Sequence, residues 1–153
     1  MKTIQLLAKV LLVFTGSVAL AQASDPTAVY ARVDKVVLEP NANSPETIQV
    51  WGVFSLAKSN DRNAYLPPAR GYLYFKLAHY QQETARKEWA DLKEVAGTGQ
   101  IVAFGSRYDP PARLRKADER PEGPDYYSTN IGLQKVSANT DYAPVRALVD
   151  YKD

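Results

Sequence analysis

The chain has 153 residues, with 19 Lys and Arg, 17 Asp and Glu, a single His and no Cys. Without Cys, the chain has no disulfide, thiolate metal site or thiol redox chemistry. His79 is the one imidazole, which excludes every zinc motif built on a pair of His. We therefore expect no metal, no cofactor and no enzymatic activity.

Residues 1–21 have the features of a secretory signal peptide. Lys2 and Lys9 supply positive charge, and residues 10–20 form an apolar run that is short for a membrane-spanning helix. Small residues spaced by one position predict cleavage after Ala21 or Ala23. We therefore predict export to the periplasm or to the outside of the cell, without a membrane anchor after cleavage. An uncleaved N-terminal anchor is the alternative.

Cleavage after Ala21 leaves 132 residues, enough for one domain with a buried core. Because the leader contains two Lys and no acid, the mature chain has 17 basic and 17 acidic side chains. Nucleic-acid binding draws on clustered positive charge, so this balance predicts no nucleic-acid partner. Residues 22–28 are expected to be a flexible start, and residues 29–153 a single domain.

Three strands are predicted in the first half of this domain. Residues 29–39 alternate between apolar and polar side chains, and residues 47–56 do the same around Gly52. A glycine inside a strand often marks a bulge or bend, and we expect one at Gly52. A polar loop over residues 57–70 precedes the third strand, residues 71–80.

The periodicity then changes from two to that of a helix. Residues 82–95 carry Ala85, Trp89 and Leu92 on one stripe, with Trp89 as the expected core anchor and Gly97 as the stop. Strands are predicted over residues 100–106 and 131–136, and residues 144–151 are a candidate sixth strand. The intervening residues 107–130 contain four Pro and are predicted to be a loop.

The order of three strands, a helix and two or three strands predicts a mainly β fold. It is the element order of a small five- to six-stranded barrel of the OB type, with the helix between the third and fourth strands. That similarity concerns element order alone and is an analogy. A β-sandwich with one helix is the alternative architecture.

Candidate ligand-binding residues lie on the third strand and in the long loop. Tyr72 and Tyr74 alternate with apolar Leu73, so their rings are predicted to point outward and to stack on a ligand. The basic run of the loop and two tyrosines before the fifth strand complete the set: Arg113, Arg115, Lys116, Tyr126 and Tyr127. The competing interpretations are tyrosines that pair across strands and a solvated loop, since residues 107–125 contain five basic and five acidic groups. Trp51 is expected either to cover the core or to form a further platform.

These observations favour an exported, non-catalytic binding or accessory module that recognises a protein, peptide or glycan partner. A structural subunit of an exported assembly is the second hypothesis, and it requires a large exposed apolar patch or a pairing sheet edge. A hydrolase that uses two carboxylates is the third. No residue pattern selects a pair of acids for it.

Overall fold

The computed structural model describes residues 28–38, 47–58, 61, 63–76, 82–105, 113–119, 126–127 and 132–153. Within these ranges the chain forms six strands and two helices. The strands are β1 (Ala28–Leu38), β2 (Thr47–Ser55), β3 (Ala69–Lys76), β4 (Ile101–Gly105), β5 (Tyr126–Tyr127) and β6 (Gln134–Val136). The helices are α1 (Gln82–Val95) and α2 (Ala143–Asp150).

All six strands join one sheet in the order β5-β3-β2-β1-β4-β6. Five of them are antiparallel to their neighbours, and the two-residue β5 runs parallel to β3. The mainly β prediction is confirmed, with a helix between the third and fourth strands. Among the described residues β5 and β6 stand at opposite edges, so the sheet is open and the predicted barrel closure is not confirmed.

The central strand β1 contains the irregularity that the sequence associates with Gly52. Val33 pairs with Gly52 and Lys35 pairs with Trp51, which leaves Asp34 as an extra residue in β1. A Cβ atom at position 52 would lie 2.2 Å from the carbonyl oxygen of Arg32, so only glycine allows the two strands to approach this closely. The bulge also frees the Val33 carbonyl, which accepts a hydrogen bond of 2.8 Å from the Gly97 N–H just after α1.

The sheet buries apolar side chains on both faces. On one face α1 packs against the sheet through Leu92 and Val95, with Trp89 at the border of this core. On the other face α2 packs through Val145 and Leu148. The first core also contains Val29, Ala31, Val33, Ile48, Val50, Phe54, Leu56, Leu73, Val102 and Phe104, and the second contains Tyr30, Val53, Ile101 and Ala103.

The candidate sixth strand is wrong, because the chain is helical over α2. Pro144 lies in the first turn, where its missing N–H costs no intrahelical hydrogen bond. Val145 and Leu148, three residues apart, are both fully buried, whereas Val149 is 47% exposed. That spacing is helical, and over only eight residues it is easily confused with alternation.

Neither described helix has the length and apolar character needed to cross a membrane. The predicted leader, residues 1–21, and the flexible start up to residue 27 lie outside the described residues. Export therefore stays a prediction from the sequence.

Candidate binding surface

The structure brings the predicted site residues together around β3. Tyr72 and Tyr74 lie on β3, and Tyr126 and Tyr127 form β5, which pairs with Phe75 and Lys76 of the same strand. The basic run reaches β3 through two hydrogen bonds between the backbones of Tyr72 and Arg115, of 3.0 and 2.9 Å. Neither this bridge nor β5 is predictable from the residue pattern, because both are short contacts formed by a predicted loop.

The expectation that Tyr72 and Tyr74 point into solvent is wrong. Their exposed fractions are 1% and 5%. The outer face of a strand can be covered by another segment of the chain. Here residues 113–119 fold back over Tyr72, and the Tyr72 hydroxyl donates to the carbonyl oxygen of Glu119. The rings therefore do not offer an open stacking face.

Two of the three basic side chains in the predicted run form ion pairs within their own turn. Arg115 donates to the Glu119 carboxylate at 2.8 Å, and Arg113 contacts the same carboxylate. Lys116 is exposed beside them. Arg113 and Arg115 thus stabilise the turn over β3, in keeping with the equal numbers of acids and bases in this segment.

Trp51 lies between two neighbours on the same face of the sheet. Its ring stacks on Tyr72, with centroids 4.5 Å apart and planes inclined by 23°. On the β1 side the Lys35 ammonium lies 4.8 Å from the indole centroid, a cation–π distance. The indole N–H donates to the side-chain oxygen of Gln49 at 2.9 Å. The indole is thereby fixed and stays half-buried.

A network of arginine and aspartate continues from Trp51 toward α2. Arg70 on β3 donates from Nε and Nη2 to the two carboxylate oxygens of Asp153, each at 2.8 Å. Its Nη1 contacts Asp34, the extra residue of the β1 bulge. The hydrogen bond to Asp153 is the largest cause of the raised pKa of Arg70; burial opposes it, and the charges of Asp34 and Asp153 add to it.

Arg32 holds the segment that follows α2. Its Nη2 donates to the carbonyl oxygen of Tyr151 at 3.3 Å, and its guanidinium lies 5.9 Å from the Tyr151 ring centroid. Val53 pairs with Arg32 on one side and with Arg70 on the other, so the two arginines flank it on one face. Residues 151–153 therefore lie across the sheet.

These contacts define a surface that we call the open strip: Lys35, Val37, Trp51 and Arg70. All four side chains are on the sheet face that also carries Tyr72, and each is exposed or half-buried. Residues 113–119 border the strip on the Tyr72 side, and residues 151–153 border it at Arg70. In the alternation of residues 29–39, Arg32 and Asp34 fall on the polar side, and that pattern is the sequence signal for this surface. The bulge moves every later residue of β1 to the opposite face of the sheet. Alternation along the sequence therefore could not identify the other residues of this surface.

A separate groove lies between the end of α1 and β6. This open groove of about 660 Å³ is lined by Val95, Thr98, Gly99, Gln100, Ile101, Val136, Ser137 and Ala138, together with Glu94 and Lys135. Glu94 is the acidic residue among the described lining residues, and its carboxylate is paired with Lys135 at 2.6 Å. Gln100 donates to the carbonyl oxygens of Ile101 and Val136 and so ties β4 to β6.

In the part of the chain that the structure describes, no three His, Asp or Glu side chains come together as a metal site. His79 lies outside the described residues. Comparison with protein-family models, curated proteins and solved structures finds no match to this chain. A proposal about function therefore rests on the chemistry of the described surfaces.

Proposed function

We propose that the protein is an exported, non-catalytic binding module that holds a protein, peptide or glycan partner on the open strip. The observation that carries this proposal is the sheet face around Trp51, where charged and aromatic side chains meet solvent between two covering segments. Trp51 is fixed by Tyr72 and Gln49, and Lys35 and Arg70 are exposed beside it. A rigid aromatic edge flanked by cations suits ligands that combine polar groups with an apolar surface.

The strand order supports an OB-like, partly open barrel as the finer description of the fold. β1 lies between β2 and β4, and α1 connects β3 to β4. In OB folds the face of the second and third strands and the neighbouring loops bind oligosaccharides and oligonucleotides. The open strip includes residues of β2 and β3, and residues 113–119 come from the connection after β4. The likeness is one of architecture, and the ligand class does not follow from it.

Intrinsic fluorescence tests this function directly, because the chain has two Trp and Trp89 is the other. In a Trp89→Phe variant the emission reports on Trp51. We expect one class in a panel of neutral glycans, acidic glycans and peptides to shift that emission saturably, and Lys35→Ala to weaken the shift several-fold. Lys58→Ala, an exposed lysine beyond β2, is the matched control. A panel that binds without changing Trp51, or that never binds, contradicts the proposal.

The two alternative functions receive less support. The exposed large apolar side chains of the described residues are Val37, Leu66 and Val149, which belong to three separate segments. An assembly subunit would instead present a continuous apolar patch or a long edge strand, and the described edge strands β5 and β6 have two and three residues. A carboxylate-dependent hydrolase requires two acids facing one pocket. The groove beside β6 presents Glu94, already paired with Lys135.

A further inference from the structure

The contacts of residues 151–153 resemble those of a bound peptide. From one end to the other they comprise an aromatic ring beside Arg32, a main-chain carbonyl that accepts from Arg32, and a carboxylate held by two donors of Arg70. The backbone at Tyr151 is extended, with φ −64° and ψ 125°. An extended segment with an acid two residues after an aromatic residue thus fits this face.

Asp34, in the β1 bulge, orients Arg70 toward a carboxylate independently of residues 151–153. Asp34 contacts Nη1 from the β1 bulge and leaves the Nε–Nη2 edge of the guanidinium open to a second acid. Two parallel N–H donors match the two oxygens of a carboxylate. Because bulges direct side chains out of the regular ladder, the bulge that places Asp34 also orients Arg70.

The contact made by Asp153 is one that a competitor can replace. The side chains of Arg70 and Asp153 are 46% and 67% exposed, and ion pairs this exposed are screened by water and salt and stabilise little. Arg32 also has an unused hydrogen-bond donor, because its buried Nε makes no hydrogen bond in the described structure.

We infer that residues 151–153 are an internal occupant of a peptide-binding site formed by Arg32 and Arg70. The partner is a protein segment with an acidic residue two positions after an aromatic one, which displaces Tyr151 and Asp153. With Asp153 displaced, Arg70 keeps one of its two acidic partners among the described residues, Asp34, and its free donors attract a ligand acid. The inference rests on the proposed function, since it names the ligand class of the face that includes the open strip.

The test uses the full chain with Asp153→Ala and a capped, fluorescent Tyr-Lys-Asp peptide followed by anisotropy. We expect the variant to bind this probe about fivefold more tightly than the unaltered protein, the gain from removing one exposed ion-pair competitor. Adding Arg70→Gln should abolish the gain, and a Tyr-Lys-Asn probe should bind more weakly than Tyr-Lys-Asp. Lys152→Ala controls for a change in the same segment, and Arg146→Gln for the loss of an exposed arginine on α2.

Three outcomes overturn the inference: no binding by a folded Asp153→Ala variant, equal binding of the two probes, or preference for an oligogalacturonate over the peptide. The last would assign the basic site to acidic glycans. Fold is checked by the dispersion of amide signals in solution NMR. If the panel shifts Trp51 emission in Trp89→Phe but the peptide fails here, the inference alone is wrong. If no ligand affects Trp51, the proposed function fails with it.

Discussion

At the scale of single residues, close approach between backbones explains why glycine occupies two strand positions. Gly52 lies against the Arg32 carbonyl, and a Cβ at Gly71 would lie 2.3 Å from the Arg115 carbonyl. The first contact allows the β1 bulge that positions Asp34. The second allows residues 113–119 to reach β3. Both glycines therefore shape the edges of the open strip without contacting a ligand.

Gly52→Ala should lower the free energy of unfolding by about 2–3 kcal/mol, because the added methyl forces β1 and β2 apart. Urea unfolding followed by circular dichroism measures the change. Gly99→Ala is the comparison: Gly99 has open space around it but a φ of +77°, so backbone strain alone should cost about 1 kcal/mol. Equal losses for the two variants would contradict the close contact at Gly52.

Tyr72→Phe should keep the stack on Trp51 and lose the hydrogen bond to the Glu119 carbonyl, at a cost of about 1 kcal/mol. Amide hydrogen exchange should then quicken at Arg115, whose N–H is bonded to the Tyr72 carbonyl, while β1 and β2 keep their protection. Tyr72→Ala removes the buried ring as well and should cost about 3–5 kcal/mol. Unchanged exchange at Arg115 in Tyr72→Phe would show that the hydroxyl does not hold the turn.

At the scale of elements, α2 has one buried stripe that fixes its place on the sheet. Leu148 is fully buried against Tyr30 and Val53, whereas its neighbour Val149 is 47% exposed. Tyr142 precedes the helix and packs near Tyr30 and Tyr65, with ring centroids 5.5 and 6.0 Å away. The helix therefore positions residues 151–153 over Arg32 and Arg70.

Leu148→Ala should destabilise the protein by about 2–5 kcal/mol, the range for removal of a buried leucine side chain. Val149→Ala, one residue along the same helix, should change the free energy of unfolding by less than about 0.5 kcal/mol. Chemical denaturation of both variants tests the orientation of α2. Similar losses of unfolding free energy at the two positions would contradict the burial of Leu148 and the exposure of Val149.

At the scale of the whole molecule, the N-terminal sequence predicts processing and export. Expressed with its own leader in a Gram-negative host, the protein should be recovered outside the cytoplasm, with Gln22 or Ser24 as its first residue. Ala21 belongs to both small-x-small sites, so Ala21→Arg should prevent cleavage at either. Intact-mass measurement of the recovered chain decides the outcome, with Gln22→Ala as the control. Full-length protein retained in the cytoplasm would contradict the signal peptide.

The sequence by itself determined the elements whose periodicity runs over many residues. The first four predicted strands match β1 to β4 to within about two residues wherever the structure describes them, and α1 has the predicted bounds. The bulge beside Gly52 and the stop at Gly97, where φ is +74°, also follow from local chemistry. Such features depend on neighbours in the chain, which a sequence displays.

Tertiary structure alone decided which faces are covered, because covering segments come from distant parts of the chain. Tyr72 is buried by residues about 45 positions later, and Arg70 meets Asp153 from 83 positions away. Alternation in a strand distinguishes its two faces but does not say whether the second one faces water or another segment. Tyr72 and Tyr74, predicted to be exposed, are therefore part of the core. The charged groups of the open strip, Lys35 and Arg70, are recognisable only once α2 and residues 113–119 are in place.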